Sequence, residues 1–333
     1  MAEQGSVVVT GAAGFIGSHL VEELHRQGFG VRCLVRYNSL GNRGWLSTLP
    51  QSTLSDIEII EGDIRDPGMV KEFVRGADIV FNLAALIAIP YSYHAPSSYV
   101  ETNIGGCLNV LEAVKANGNA HIIQMSSSEV YGSAAYVPID ERHQLNAQSP
   151  YAATKTGADQ LALSYHQSFG TRVTVARPFN TFGPRQSTRA VIPTIIIQLL
   201  NGKQVKLGAL ETTRDFNFVK DVVKGLIQIS KSEKAVGETI NIGSGFEISI
   251  EGTARLISEL MGKEIDLESE EKRLRPKDSE VVRLLAANQK AKEILQWEPS
   301  KTGLEGLKDG LEETIAWFSS SENRTYYTTE YRI

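Results

Sequence analysis

Cysteine is almost absent from this chain: among 333 residues only Cys33 and Cys107 occur, far apart and each in apolar surroundings. That excludes a disulfide framework and a zinc pattern, and reads as two buried thiols in a reducing compartment. Long apolar runs are missing as well. No stretch approaches the roughly 20 residues of a membrane helix, and the N-terminal run V-V-V-T-G-A-A-G-F-I-G is short and broken by glycines, unlike a signal peptide. Positive charge is not in excess. A net charge of −5 leaves no basic footprint for nucleic acid, although local arginines can still hold phosphates. His94, His143 and His166 have no partners at metal-ligand spacing, so structural roles and no metal site are expected. Internal repeats and low-complexity segments are lacking too. These absences together predict a soluble, cytoplasmic globular protein with no nucleic-acid or membrane partner, in which the sequon Asn323-Arg324-Thr325 is a chance match.

What is present is rhythm. Short apolar strands at 6–10, 31–35, 57–61, 79–83, 121–125 and 173–177 alternate with helical patterns at 15–27, 67–75, 97–117 and 151–169. This alternation predicts an α/β fold, a doubly wound parallel Rossmann sheet covered on both faces. After Pro178 the rhythm changes. Helices are expected near 191–201, 219–232, 249–261, 288–296 and 303–319, with short strands at 204–207 and 239–242. The expected division is a dinucleotide-binding domain at 1–178 and a smaller α/β substrate lobe at 179–333. Segments near 215–245 return to the first domain. The charged stretch 264–280 suits either a solvated face or a ligand contact, and the polar tail from Ser319 reads as peripheral.

Gly11-Ala-Ala-Gly14-Phe15-Ile16-Gly17 follows the first strand and opens the first helix. Glycines there permit a tight turn, close approach of a pyrophosphate to the backbone, and close packing of helix on strand. The helix N-terminus adds N–H donors and the positive end of its dipole. The second strand ends Val35-Arg36-Tyr37-Asn38-Ser39, with no acid to hold an adenosine ribose. Arg36 suits a 2′-phosphate, favouring NADP over NAD, though a solvated charge would look the same. Asp63 and Ile64 are placed for the adenine side, and Leu83, Ala84 and Ala85 for the strand beside the cofactor.

Tyr151-Ala-Ala-Thr-Lys155 begins a helix after Pro150, and the i, i+4 spacing sets both side chains on one face. A tyrosine of ordinary pKa, about 10, is a poor base at neutral pH. A lysine ammonium and a cationic nicotinamide bring its phenolate within reach. Upstream, Q-M-S-S-S-E-V-Y-G (124–132) closes a strand with a serine cluster followed by Glu129.

Here the chain resembles the extended short-chain dehydrogenases/reductases, up to about residue 320. The resemblance rests on G-A-A-G-F-I-G, N-L-A-A, S-S-S-E-V-Y-G, Y-A-A-T-K, R-P-F-N-T-F-G-P-R, R-D-F-N-F-V-K-D-V, N-I-G-S-G and R-P-K-D-S-E-V. It implies a tightly held, recycled nicotinamide cofactor, with Pro178 over the nicotinamide, and a nucleotide-diphosphate sugar as substrate. By the same resemblance Ser127 hydrogen-bonds the sugar C4 oxygen, Tyr151 is the base and Lys155 its activator. Glu129 looks like a base for the C5 proton of a 4,6-dehydratase, where 4-epimerases usually carry a small residue or threonine. A carboxylate that merely caps a loop is the alternative. Glucose-type dehydratases place an aspartate before that glutamate. Ser128 stands there, as in the mannose-type enzymes, leaving the acid that protonates the C6 hydroxyl open.

The stretches 85–96, 99–103, 183–196 and 273–281 resemble the 4,6-dehydratases that act on nucleotide-linked N-acetylglucosamine in legionaminic acid biosynthesis, except that Ser127 replaces the usual threonine. Asn180, Arg185, Val191, Arg214 and Arg275 fall at positions resembling nucleotide-sugar contacts. Surface roles fit Arg185 and Arg189 equally well. The helices at 97–117 and 151–169 carry apolar residues on more than one side, among them Ile104, Val110, Leu111, Leu161 and Leu163. In the family such helices pair as a four-helix bundle across a two-fold axis, so a homodimer is expected; simple cover for the sheet is the other reading. Competing functions are a UDP-sugar 4-epimerase, a UDP-glucuronate decarboxylase and a non-catalytic nucleotide sensor. The decarboxylases usually read Y-D-E-G-K-R where this chain reads Y-A-A-T-K-T, and the intact Ser127, Tyr151 and Lys155 set argues against a sensor.

Overall fold

In the computed structural model, which describes residues 5–327, the chain folds around a parallel sheet of seven strands. They are β1 (Ser6–Thr10), β2 (Gly30–Arg36), β3 (Glu58–Gly62), β4 (Ile79–Asn82), β5 (His121–Met125) and β6 (Val173–Pro178). Strands β7 (Asn180–Phe182), β8 (Gln204–Leu207) and β9 (Thr213–Phe218) intervene before β10 (Thr239–Ile242) completes the sheet. The order β10-β6-β5-β4-β1-β2-β3 reverses between β1 and β4. In such sheets ligands bind beyond the carboxyl ends of the strands at the reversal.

Both faces are covered, so β5 and β6 are buried along their whole length and need continuous apolar or paired residues rather than alternation. On one face, Val7 and Val9 pack with the helices Phe15–Arg26, Val219–Lys231 and Gln289–Leu295. On the other, Val8 packs with Pro67–Phe73, Gly106–Asn117 and Pro150–Phe169. Cys33 and Cys107 lie on opposite faces, free and buried, and burial pushes both thiols up to about 12.

A third apolar cluster joins the helices Val191–Asn201, Ile250–Leu260 and Gly303–Ser319 to β8 and β9. Phe15, Ile16 and Val191 pack against it, so the start of the first helix touches this lobe. The strands expected from the sequence all form. Beyond them are β7 and β9, joined by β11 (Glu247–Ser249) in a three-stranded sheet, and β12 (Asp266–Ser269), which pairs with β8. These escape the apolar-strand signal because they carry paired polar groups: in β9 both Arg214 and Asp215 are buried.

Two further differences have local causes. The helix expected over 97–117 is interrupted by a π-helical turn, Val100–Gly105. That turn carries Asn103, whose amide accepts the Leu86 N–H at 2.8 Å and donates to Thr154 at 3.0 Å. The tail up to residue 327 is largely exposed but packs on the body, Tyr326 and Tyr327 lying 5.4 Å from Trp45 between ring centres and the Trp317 indole donating to the Tyr327 hydroxyl; the rest of it lies outside the described residues. Among the described residues no helix is long and apolar enough to cross a membrane.

Candidate active site

Beyond β1 the chain turns at Gly11, whose φ of 68° and closeness to the next strand both require glycine. A Cβ there would stand 2.8 Å from the Ala84 nitrogen. At Gly17 a Cβ would collide with the Gly11 carbonyl, so the helix could not pack this closely on the strand. The helix starts at Phe15 with Gly14 as its cap, no capping side chain and no acid in its first turn. Its end N–H groups are left for an anion, as a dinucleotide pyrophosphate requires. Leu83, Ala84 and Ala85 follow β4 immediately beside this turn. Pro178 is buried at the end of β6.

Around the ribose end of β2 the residues differ in availability. Arg36 and Ser39 are exposed. Asn38 is spent on its own loop: its amide oxygen accepts the N–H groups of Leu40 and Asn42, and its nitrogen donates to the Asn42 carbonyl at 2.8 Å. Asp63 is gripped by Arg65 at 2.7 Å, which holds its carboxyl below the usual range. Ile64 is buried and packs where Gly106 leaves room.

At the end of β5 the sequence S-S-S-E-V-Y turns as a short helix, Ser128–Tyr131, capped by the Ser127 hydroxyl, which accepts the Glu129 N–H at 3.2 Å. Ser128 and Glu129 are buried by that turn. Opposite, Ser149 caps the helix Pro150–Phe169 by accepting the Ala152 N–H at 3.1 Å, and Pro150 presets its first turn. Tyr151 is therefore in the first turn and 7% exposed. Burial pushes the phenol's pKa up, the Ser127 hydroxyl opposes this, and the charge of Glu129 adds to the rise. One turn on, Lys155 is 4% exposed and donates to the Met125 carbonyl. Burial pulls its ammonium down while the Asp159 carboxylate holds it up.

Asp159 was not among the expected residues. It accepts from Ser126 at 2.7 Å and from the Arg177 guanidinium at 3.1 Å, and Arg177 donates to Tyr131 at 3.1 Å. Its signal lay in the spacing, since Tyr151, Lys155 and Asp159 recur every four residues on one helical face.

The third part comes from far away in sequence. Arg275 donates to both oxygens of Glu129 at 3.3 and 3.5 Å. Arg214, 5% exposed, pairs with Glu280 at 3.2 Å, and burial pulls its guanidinium down. Asn180 begins β7 beside β9, and its buried side-chain oxygen has no hydrogen-bond partner. The structure brings Ser127, Glu129, Tyr151, Lys155, Arg214 and Arg275 together. It does not bring Arg185: that guanidinium pairs with Glu22 at 2.9 Å and lies under Trp317, joining the lobe to the first helix instead of facing a diphosphate. Val191 is likewise seated in the lobe's apolar cluster. Among the described residues no cluster of His, Cys, Asp and Glu is arranged to hold a metal.

A glycine turn at the reversal of a parallel sheet, with serine, tyrosine and lysine beyond it, defines a Rossmann-fold enzyme of the extended short-chain dehydrogenase/reductase type. The chain belongs to the nucleotide-sugar dehydratase/epimerase family: the family described as GDP-mannose 4,6 dehydratase matches residues 8–310. A dTDP-glucose 4,6-dehydratase of Actinoplanes sp. is 30% identical over 97% of this chain and 99% of the relative. The solved dTDP-glucose 4,6-dehydratase DesIV double mutant of Streptomyces venezuelae, with NAD bound, is 28% identical with a TM-score of 0.84, covering 96% of this chain and 98% of that one. A UDP-N-acetylglucosamine 4-epimerase of Methanobrevibacter ruminantium is 31% identical with a TM-score of 0.83, covering 95% and 98%. Dehydratases and epimerases are thus similar to this chain in equal measure, and the choice between them falls to the site.

Proposed function

We propose that this enzyme is a 4,6-dehydratase of nucleotide-linked N-acetylglucosamine, GDP- or UDP-bound, that makes the 4-keto-6-deoxy sugar. The observation that carries the proposal is Glu129, a buried carboxylate held by Arg275 and electrostatically coupled to Tyr151. A 4-epimerase has no proton for it to take.

Tyr151 takes the C4 hydroxyl proton while Ser127 holds that oxygen and Lys155 supplies positive charge. A nicotinamide bound at the glycine turn supplies the hydride acceptor for C4 and the donor for C6. With C4 a ketone, the C5 proton is acidic and Glu129 removes it. The C6 hydroxyl leaves as water, protonated by Glu129 or through Ser128, and C5 takes a proton back from solvent as the hydride reaches C6. Asn180, Arg214 and Arg275 hold the diphosphate, for which guanidinium groups are suited.

N-acetylglucosamine is supported by the resemblance of 85–96 and 273–281 to the legionaminic acid-pathway enzymes. These two stretches meet around a cavity of about 150 Å³ lined by Tyr93, His94, Leu274 and Arg275. Exposed Arg36 supports NADP over NAD. The two-lobed division at residue 178 and a cytoplasmic site of action belong to the same proposal. So does a homodimer. Val110 and Leu111 are used up against the sheet, but Leu108 on the same helix and Val100 in the π-helical turn before it are exposed. A UDP-sugar 4-epimerase is the second reading, favoured by the epimerase likeness, and a UDP-glucuronate decarboxylase ranks below it.

Proton NMR of the enzyme with GDP- and UDP-N-acetylglucosamine in heavy water tests this. A C6 methyl signal with a 4-keto or hydrated product is expected with one of the two carriers. Formation of the galacto epimer alone would refute the dehydratase reading.

A further inference from the structure

We propose that Arg275 is shared between Glu129 and the substrate's diphosphate, so that arrival of the nucleotide sugar unmasks the base. This inference rests on the function proposed above and adds a control to its elimination step.

In this structure both guanidinium groups are paired. Arg275 holds both oxygens of Glu129, and Arg214 holds Glu280 while donating to the Thr213 carbonyl at 2.8 Å. Two guanidinium groups face two carboxylates, and Arg214 lies within electrostatic reach of both Glu129 and Arg275. A diphosphate entering here brings negative charge into a site whose positive charge is neutralised. It binds well only if a guanidinium leaves its carboxylate.

Arg275 is the one free to do so. Arg214 is buried on the central strand of its sheet, and its backbone is tied into the pairing with β11. Arg275 lies between two single-turn helices, Glu271–Arg273 and Lys277–Ser279, outside any strand. Its side chain keeps 23% exposure and borders the cavity of about 150 Å³ beside Tyr93 and Pro276. Just beyond, the Ser279 hydroxyl is bonded to Tyr93 at 2.6 Å, so the segment is anchored while the arginine has space to swing.

While Arg275 donates to both oxygens of Glu129 those oxygens are engaged; once the guanidinium leaves, they are open to the C5 proton. Transfer of Arg275 to the diphosphate therefore arms Glu129 when the correct substrate is bound, and C5 deprotonation is withheld otherwise. The energy of holding a group remote from the reacting carbons is used at those carbons.

Calorimetric titration of the cofactor-loaded enzyme with UDP and GDP tests the exchange without turnover. Glu129→Gln and Glu129→Ala should each tighten binding of the nucleoside diphosphate by about tenfold, the scale of couplings between contacting charges. Arg275→Met should weaken it, and Glu129→Gln added to Arg275→Met should then change nothing. Unchanged affinity in both Glu129 variants would overturn the exchange, as would equal tightening with and without Arg275, which is simple repulsion through space. Binding of neither diphosphate by the wild type would instead remove the nucleotide-sugar reading beneath it.

Discussion

Tyr151 and Lys155 sit in a place that works against both of them. Burial favours the neutral phenol and the neutral amine, whereas base catalysis needs phenolate beside ammonium. Asp159 is the group that restores the balance, one helical turn beyond Lys155 and fixed by Ser126 and Arg177. The groups acting on Lys155 are Asp159 and the thiol of Cys107; those acting on Tyr151 are Ser127, Glu129, Tyr99 and Asp159. Without the Asp159 charge, Lys155 loses its proton at lower pH. Asp159→Asn should therefore move the alkaline limb of the kcat–pH profile downward by about one unit, with kcat falling more than KM changes. An unmoved limb would mean that Asp159 serves only to neutralise Arg177.

Among the elements, the turn Gly44–Thr48 connects two distant parts of the chain. The Trp45 N–H donates to the Ala13 carbonyl in the glycine turn at 3.0 Å, while its ring packs against Trp317, Tyr326 and Tyr327 from the C-terminal segment. The tail thus braces the loop that shapes the pyrophosphate site. Trp45→Ala should lower stability by about 1–3 kcal/mol, less than a fully buried tryptophan would, and weaken retention of the nicotinamide cofactor. Thermal melts and a cofactor titration check both, and a normal cofactor Kd would confine the brace to stability.

For the whole molecule, part of the acid sensitivity comes from two histidines that their surroundings keep neutral. Burial lowers His19 and His121 to about 4 from the usual 6.5, so the unfolded chain binds their protons first as pH falls. Their stabilisation is complete above 6.5 and is lost as pH falls through about 4, on the order of 3 kcal/mol each. Asp215 acts oppositely: burial raises it to about 6 against the N–H groups and hydroxyl that hold it. Its contribution is present below 3.8 and is lost as pH rises through about 6. Burial raises Glu141 and Asp159 as well, in the same sense as Asp215, so the histidine contribution is read by difference between wild type and variant. Between about pH 6.5 and 4, His121→Gln should lose less stability, or gain more, than the wild type in thermal melts; parallel curves would show that His121 is not neutral in the folded protein.

The sequence alone determined the doubly wound sheet, the glycine turn, and the placing of Tyr151 and Lys155 one turn apart on one helix. Each depends on a local period or a backbone requirement, and such signals survive without knowledge of what packs where. Only the tertiary structure decided which charges meet. Glu129 and Arg275 are 146 residues apart, and Arg214 and Glu280 are 66 apart. A buried strand such as β9, with Arg214 and Asp215 inside it, looks polar until its partners are known. Arg185 fitted a surface role and a diphosphate contact equally well, and the fold set it against Glu22, while Arg275 is set against Glu129. A charged side chain carries no mark of its partner in its own neighbourhood; the partner is assigned by the loops that the sheet brings together at its carboxyl edge.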